Sequence, residues 1–487
     1  MSLSPLLRIT TAIFITAFLL VRPDNLQSRG MWYVDDDYDY FAHASAMAFG
    51  QFPSYKKEFY TIMKEGPQSP VGTGILAAPF VFVFSFLDRA GGSTITESRT
   101  QDNIVGSWSQ FGFEVSSIFY FTIACYLLFF SLSRFVSPLN ASTAVIVMMI
   151  CQGLPLFVYR RPFFSHCSEF FLQSVLMYLF LDFLSRRDQR KALTGVFALS
   201  GLFYLTRPND AAFALLWPFL VMDYSQGIVQ IFRQSCAGII LSAGLILIFN
   251  AWPDAVNHMH PYSWAGQYLG TAMTATSFFQ RTAHILIGTD WGLIYTAPFL
   301  LISLGGISLL GGPILKRFIW LFIPMAINFY IIIAWGSQGG WYGYRYFIVS
   351  AIPVMILPMA YVLEWISGKI RWWAIPLIIL ICLPPVLSML AFEGCSYFNL
   401  QPVPVDFNRT DWTNPDLQAN IWAVLIHAPA AFCLIIYKGL LMLVLSLMGA
   451  MPPFTRTTWL RIMIIWAVPW LIYAALIFRR KLIKQAI

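Results

Sequence analysis

Charged residues are scarce in this sequence. Asp, Glu, Lys and Arg together make up 11% of its 487 residues, whereas a soluble globular chain carries roughly 25%. Hydrophobic residues make up 58%, and the mean hydropathy is +0.66. A chain with so few polar side chains cannot cover its own surface with them, so lipid must cover it. The composition predicts a polytopic integral membrane protein and excludes a soluble globular domain.

Patterned cysteines are missing as well. The seven Cys are scattered and form no CxxC pair, so the sequence indicates neither a zinc site nor a disulfide framework. The formal net charge of +8 is typical of basic loops beside anionic lipid, and no nucleic-acid partner is expected. The first apolar run, residues 9–21, has no small-residue cleavage site after it. We interpret it as a retained first helix whose short basic leader lies in the cytoplasm.

Apolar runs that suit membrane spans recur along the chain. Alternate loops between them are short and basic, and the positive-inside rule places these loops in the cytoplasm. The sequence therefore predicts an all-α polytopic fold of about 11–14 transmembrane helices, forming one domain over residues 1–487. The predicted spans lie near residues 6–21, 109–133, 139–158, 163–184, 193–205, 211–223, 235–250, 291–310, 318–335, 346–364, 372–391, 420–445 and 459–478.

The first outer loop, residues 22–108, is the longest stretch outside these spans. Within it, residues 70–87 are apolar enough to cross the membrane, but a span there would move the basic residues 186–191 outside. We therefore interpret 70–87 as a juxtamembrane helix that lies on or dips into the membrane. Gly72 and Pro79 favour a short or broken element there.

The side of the C-terminus stays open at this point. Arg479 and Arg480 favour the cytoplasm, whereas thirteen spans would place them outside. Splitting residues 420–452 at Lys438 into two short spans would return them to the cytoplasm.

The predicted outer face collects unusual polar residues. Four acids occupy five positions just after the first span, and four arginines on this face, at positions 160, 161, 207 and 345, depart from the positive-inside bias. Charges at membrane depth are costly, so they usually pair with each other or serve function. The residues that we single out are Asp35, Asp36, Asp37, Asp39, Tyr40, Lys64, Arg161, His166, Arg207, Trp341, Tyr344 and Arg345.

These residue types favour group transfer at the outer surface. A carboxylate near the bilayer can act as general base on an acceptor hydroxyl, or several can share a divalent cation, for which Asp35–Asp37 is the candidate cluster. Cations opposite can hold a phosphate and stabilise the charge that builds on it. A lipid-linked phosphosugar presents such a phosphate at headgroup depth, and Trp341 and Tyr344 can stack on sugar rings.

The chain resembles bacterial members of the GT-C superfamily of membrane glycosyltransferases, in the branch of protein O-mannosyltransferases and the lipid A aminoarabinose transferase. That branch carries an acidic pair at the start of a large first outer loop, then an aromatic, a small residue, a lysine and an Ala-Pro-Phe. The corresponding residues here are Asp36-Asp37, Tyr40, Ala44, Lys64 and Ala78-Pro79-Phe80. The runs at residues 161–166 and 343–347 are similar to later outer segments of related bacterial sequences.

The resemblance implies an inverting glycosyltransferase with a polyprenyl-phosphate sugar donor. Asp36 would be the base, and Asp37 would orient the acceptor or hold a cation. Lys64, Arg345 and Arg161 would contact the donor phosphate. The residues expected to bind substrate are Asp35, Asp39, Tyr40, His166, Arg207, Trp341 and Tyr344. The implied location is the bacterial inner membrane with the site facing the periplasm or exterior. The acceptor would be a lipid, an envelope glycan or a protein.

Several other interpretations stay open. The chain could instead be a transporter or flippase for a lipid-linked glycan, which would place charges near the middle of the spans, or an inactive scaffold. Asp35 and Asp39 could be solvated loop residues, and Lys64 a lysine that snorkels to the interface. Arg160 and Arg161 could pair with Glu169 along a helix. His166 could be a packed interfacial histidine.

Overall fold

The chain is described from a computed structural model. The structure describes residues 3–21, 35–50, 52, 69–92, 107–150, 153–159, 161–186, 189–222, 228–250, 275–287, 293, 297–335, 345–369, 376, 378, 382 and 453–486. Every secondary-structure element in these ranges is a helix.

The helices follow one another with short connections over much of the chain. The α-helices are α1 Leu3–Leu20, α2 Asp35–Ala48, α3 Gly72–Ala90, α4 Trp108–Leu132, α5 Pro138–Ile150, α6 Leu154–Tyr159, α7 His166–Arg186, α8 Gln189–Thr206, α9 Leu216–Met222, α10 Ile228–Asn250, α11 Ala275–Ile287, α12 Pro298–Gly306, α13 Gly312–Phe318, α14 Phe322–Trp335, α15 Arg345–Lys369 and α16 Pro453–Ala486. Short 3-10 helices at Pro208–Leu215, Ile307–Leu309 and Ile319–Leu321 lead into or extend these.

Six helices of the described chain are long and apolar enough to cross a membrane. They are Gly72–Ala90, Trp108–Leu132, His166–Arg186, Gly312–Ala334, Phe347–Gly368 and Leu460–Arg480. Shorter apolar helices, such as Pro5–Phe18 and Ser235–Phe249, accompany them. The prediction of an all-α polytopic membrane protein is confirmed. The predicted spans 372–391 and 420–445 lie outside the described residues, apart from three single positions.

One predicted span is divided in two. The run 139–158 forms α5 and α6, which are separated at Gly153. This glycine has a φ of 63°, a left-handed conformation that side-chain-bearing residues rarely adopt. The chain therefore turns there, and α6 packs against α1 and α4.

The basic loops gather at one end of the helix bundle, which we call the basic end. Arg134 follows α4 and lies 2.5 Å from the Asp182 carboxylate near the end of α7. Lys191, at the start of α8, contacts the same carboxylate at 2.9 Å. Arg8, near the start of α1, donates a hydrogen bond to the hydroxyl of Ser142, near the start of α5, at 3.1 Å. These contacts bring together the ends that the positive-inside rule assigns to one side.

Helix α16 runs antiparallel to α1. Phe18 lies 4.9 Å from Trp466, and Phe14 lies 5.9 Å from Trp470, ring centre to ring centre. At the start of α16, Arg461 lies over the Trp108 ring at 4.9 Å, where α4 begins. The far end of α16, with Arg479 and Arg480, therefore lies beside the start of α1. The C-terminal arginines, whose side the sequence left open, lie at the basic end.

Helix α3 lies alongside the N-terminal half of α4. The Tyr120 hydroxyl donates to the Leu76 carbonyl at 3.0 Å, and the Asp88 carboxylate accepts from the Trp108 amide at 2.8 Å. The start of α3 contacts Thr206 at the end of α8, because Gly72 has no Cβ to hold the chains apart. Both ends of α3 thus lie away from the basic end. The helix is continuous through Pro79, so the expectation of a short or broken element was wrong.

Candidate functional site

The end of the bundle opposite the basic end, which we call the α2 end, carries a buried ion pair. Arg161 Nη2 lies 3.2 Å from Asp37 Oδ2, and the two side chains are 1% and 0% exposed. Asp37 stands in the first turn of α2, and Arg161 lies in the connection from α6 to α7. The Arg161 guanidinium also stacks on Phe164 at 4.2 Å. Two residues predicted on the outer face, 124 positions apart in the sequence, are therefore in contact.

Asp39 and His43 tie α2 to the start of α3. The Ser69 amide donates to Asp39 Oδ2 at 2.7 Å, and the Ser69 carbonyl lies 2.8 Å from His43 Nε2. Burial lowers the pKa of His43 to about 4, so the ring is neutral at neutral pH. Its Nε2–H then donates to the carbonyl. Asp39 is buried rather than solvated, and this bond gives it a role in holding the first loop.

An apolar cluster supports the acidic turn of α2. Tyr40 and Phe41 are 5% and 1% exposed. The Phe41 ring lies 6.2 Å from Phe163, which in turn stacks on Phe113 at 4.7 Å. Burial of aromatic rings is strongly favourable, so this cluster fixes α2 against α4 and the 161–165 turn. Tyr40, predicted to bind substrate, packs in this cluster.

A second buried polar cluster lies where α7 begins and α8 ends. Arg207 Nε lies 3.1 Å from Glu169 Oε2, and Arg207 Nη2 lies 3.2 Å from His166 Nδ1. Arginine only donates hydrogen bonds, so His166 Nδ1 accepts in this contact. The same Nδ1 also lies 3.4 Å from Glu169 Oε2. His166 and Arg207 were both predicted as substrate-binding residues.

This cluster extends through Asp210 to the neighbouring helices. Asn328 Nδ2 on α14 donates to Asp210 Oδ1 at 2.7 Å and lies 3.2 Å from the Ser350 hydroxyl on α15. Asn328 Oδ1 accepts from Asn209 at 2.9 Å. Burial raises the pKa of Asp210 to about 7, although the Arg207 charge opposes the shift. The start of α15, which Arg345 occupies, is thereby linked to the second cluster.

The remaining predicted residues lie partly outside the described chain. Asp35, Asp36 and Arg345 belong to described helices, but their side chains are outside what the structure describes. Lys64, Trp341 and Tyr344 are outside the described residues altogether. No group of three or more His, Cys, Asp or Glu side chains that could hold a metal ion occurs within the described ranges. The candidate cation cluster Asp35–Asp37 stays a prediction.

Sequence reasoning missed the central residues of the second cluster. One alternative paired Arg160 and Arg161 with Glu169, and Arg160 lies outside the described residues. For Arg161 the alternative was wrong, because Arg161 contacts Asp37 on α2 while Glu169 contacts Arg207. The sequence offers one signal for Asp210 and Asn328. Each is a polar residue within or beside an apolar run, and such a residue needs a hydrogen-bond partner when it is buried.

Comparisons with known proteins are limited to structure. No protein-family model and no curated protein matches the sequence. The fold is similar to archaeal oligosaccharyltransferase AglB from Archaeoglobus fulgidus in complex with an inhibitory peptide and a dolichol-phosphate, with 11% identity and a TM-score of 0.43 over 83% of this chain and 61% of that one.

A crystal structure of the Archaeoglobus fulgidus oligosaccharyltransferase with Zn and sulfate matches with 13% identity and a TM-score of 0.37, over 83% of this chain and 59% of that one. Its apo form matches with 11% identity and a TM-score of 0.36, over 87% and 64%. This chain thus spans about three fifths of the length of each of these proteins. A likeness at this level assigns it neither an activity nor a substrate.

Proposed function

We propose that the chain is a membrane glycosyltransferase of the GT-C type. It would move a sugar from a polyprenyl-phosphate donor to a lipid, glycan or protein acceptor at the α2 end of the bundle. One observation supports the proposal above all others: two buried ion pairs, Asp37–Arg161 and Glu169–Arg207, lie at this same end of the bundle. The resemblance of the first-loop sequence to that family supports the same conclusion.

The first turn of α2 would supply the base. Asp37 is engaged by the Arg161 guanidinium, so we assign the base to its neighbour in the same turn. Asp36 precedes Asp37 in the first turn of α2. A helix N-terminus also stabilises negative charge. Asp36 would therefore remain a carboxylate, positioned to accept the proton of an acceptor hydroxyl.

The sugar transfer is a single displacement, in which one bond to the anomeric carbon forms as another breaks. The acceptor oxygen attacks the anomeric carbon, its proton passes to Asp36, and the bond between that carbon and the phosphate oxygen breaks. The phosphate leaves with the electron pair, and attack from the opposite face inverts the anomeric configuration. Lys64 and Arg345 would stabilise the charge that builds on the phosphate. Arg161 is a poorer phosphate ligand than the sequence predicted, because Asp37 already compensates its charge.

The described ion pairs favour this proposal over a transporter. A transporter is expected to place charges near the middle of its spans. Asp37–Arg161 and Glu169–Arg207 lie at the α2 end, and Asp182 lies with Arg134 and Lys191 at the basic end. Because basic loops face the cytoplasm, the site would face the periplasm or exterior of a bacterial inner membrane.

The experiment that tests the proposal uses the purified protein in lipid nanodiscs. Polyprenyl-phosphate sugars are supplied with lipid, glycan and peptide acceptors, and released polyprenyl phosphate and glycosylated product are measured. Nucleotide sugars serve as the negative donor control. Product formation from the lipid-linked donor, with an inverted anomeric centre by NMR, is the expected result. The protein is also reconstituted in sealed vesicles. Movement of the donor from one leaflet to the other without sugar transfer would overturn the proposal in favour of a flippase.

A further inference from the structure

The second buried cluster contains two carboxyl groups in contact. Glu169 and Asp210 are each 0% exposed, and their carboxyl groups lie within hydrogen-bonding reach of each other. One oxygen of each group already has a partner. Glu169 Oε2 faces Arg207 Nε at 3.1 Å, and Asp210 Oδ1 accepts from Asn328 Nδ2 at 2.7 Å.

The other two oxygens are buried without a hydrogen-bond partner in the described part of the chain. They are Glu169 Oε1 and Asp210 Oδ2. An unsatisfied buried carboxylate oxygen is costly, and two carboxylates in contact repel each other. A single proton between these two oxygens removes both penalties, because one carboxyl then donates to the other.

From this geometry we propose that Glu169 and Asp210 bind one shared proton, and that this buried proton site keeps Arg207 in position. With the proton, the pair carries one negative charge, which Arg207 balances. Without it, two negative charges face one cation in a site that excludes water, which is unfavourable. The burial that raises the pKa of Asp210 acts in the same direction.

Groups on several described helices face the pair. Helix α7 contributes His166, Glu169 and Gln173, whose side chain also lies within hydrogen-bonding reach of Asp210, and Arg207 precedes the 3-10 helix that carries Asp210. His166 is a titratable neighbour of the pair, because its Nδ1 lies 3.2 Å from Arg207 Nη2 and 3.4 Å from Glu169 Oε2. Helices α14 and α15 contribute Asn328 and Ser350, which do not titrate.

The proton site would act on function through Arg207. This step rests on the proposed function and on the prediction that Arg207 binds substrate. Arg207 is held by Glu169 Oε2 and His166 Nδ1. When the shared proton is lost, the second carboxylate competes for the guanidinium and draws it from this position. Glu169 and Asp210 are therefore positioning residues, and alkaline pH should weaken donor binding.

The proton itself can be detected without any activity. Infrared difference spectra of the full protein in nanodiscs report the carbonyl stretch of a protonated carboxyl group. The intensity of this band is expected to fall in both Asp210→Asn and Glu169→Gln and to stay unchanged in Asp182→Asn, whose carboxylate contacts Arg134 and Lys191 at the basic end. All spectra are taken from monodisperse protein. A band that keeps its full wild-type intensity in both cluster variants would overturn the proposal.

Donor kinetics test the link to Arg207. In the wild type, the donor KM should rise roughly tenfold from about pH 6 to about pH 9, with a smaller change in kcat. Asp210→Asn should remove this rise, because an amide donates to Glu169 at every pH. A pH profile identical to that of the wild type would contradict the positioning role. If no transfer occurs with any donor, the proposed function fails, whereas the infrared result still decides whether the proton is there.

Discussion

Arg161 and Asp37 form an ion pair in which both side chains are buried, with 3.2 Å between Nη2 and Oδ2. This pair joins the connection before α7 to the first turn of α2, and so holds the start of the first loop against the bundle. Removing one partner of a buried pair leaves an uncompensated charge, which is destabilising by about 3–5 kcal/mol.

Asp37→Asn should therefore lower the stability of the protein, and Arg161→Met combined with it should lose less than the sum of the two single changes. The measurement is thermal unfolding in detergent for the two single variants and the double variant. Strictly additive losses would show that the two side chains do not interact.

His43 should make the protein acid-sensitive. Its folded-state pKa is about 4 against an ordinary value of 6.5, so the unfolded chain binds a proton more tightly. The neutral ring stabilises the folded state fully above about pH 6.5, and this contribution falls as the pH drops towards 4. The loss reaches about 3 kcal/mol.

His43→Gln keeps a donor for the Ser69 carbonyl and does not titrate. Melting temperatures measured across this pH window should therefore fall less steeply in the variant than in the wild type. Parallel curves for the two proteins would show that another group causes the acid sensitivity.

Gly72 should not tolerate a side chain. A Cβ at this position would overlap the Thr206 hydroxyl and lie 2.7 Å from the Leu205 carbonyl carbon. Gly72→Ala is expected to cost about 1–3 kcal/mol, as overpacking does, and to displace α3 from the α2 end. Gly305→Ala is the matched control, because a Cβ there meets nothing within 4 Å. Equal melting temperatures for the two variants would contradict the close approach of α3 to α8.

Both ends of the bundle can be distinguished by labelling. Because α16 runs antiparallel to α1, Ile483→Cys should react from the same side of the membrane as Arg186→Cys and from the opposite side to Ala90→Cys. The measurement uses a membrane-impermeant maleimide on intact cells and on inverted vesicles, in a cysteine-free background. Labelling of Ile483→Cys together with Ala90→Cys would contradict the placement of the C-terminus at the basic end.

The lengths of the apolar runs predicted the positions of several helices. The predicted spans 109–133, 163–184 and 346–364 differ by a few residues from α4, α7 and α15, because continuous apolar sequence of this length has few alternatives in lipid. The division at Gly153 was harder to see. A glycine inside an apolar run can pack within a helix or end one, and only the neighbouring helices decide which.

The sequence predicted which residues belong to the site but not which of them contact each other. The sequence indicated Asp37, Arg161, His166 and Arg207 through their positions at span ends, and the structure brings them to one end of the bundle. Which arginine meets which acid depends on the packing of helices far apart in sequence. Asn328, which joins Asp210 to α15, is a single amide in an apolar helix, and its partners appear only when the helices are assembled.

The most direct test of the central claim is the turnover of Asp36→Asn with a polyprenyl-phosphate sugar donor, measured in nanodiscs against Asp182→Asn as the matched control. General-base catalysis contributes roughly a hundredfold to ten-thousandfold in rate. We expect Asp36→Asn to lose at least about a hundredfold in kcat with an unchanged melting temperature, and Asp182→Asn to keep its turnover per folded molecule. Full turnover in Asp36→Asn would contradict it.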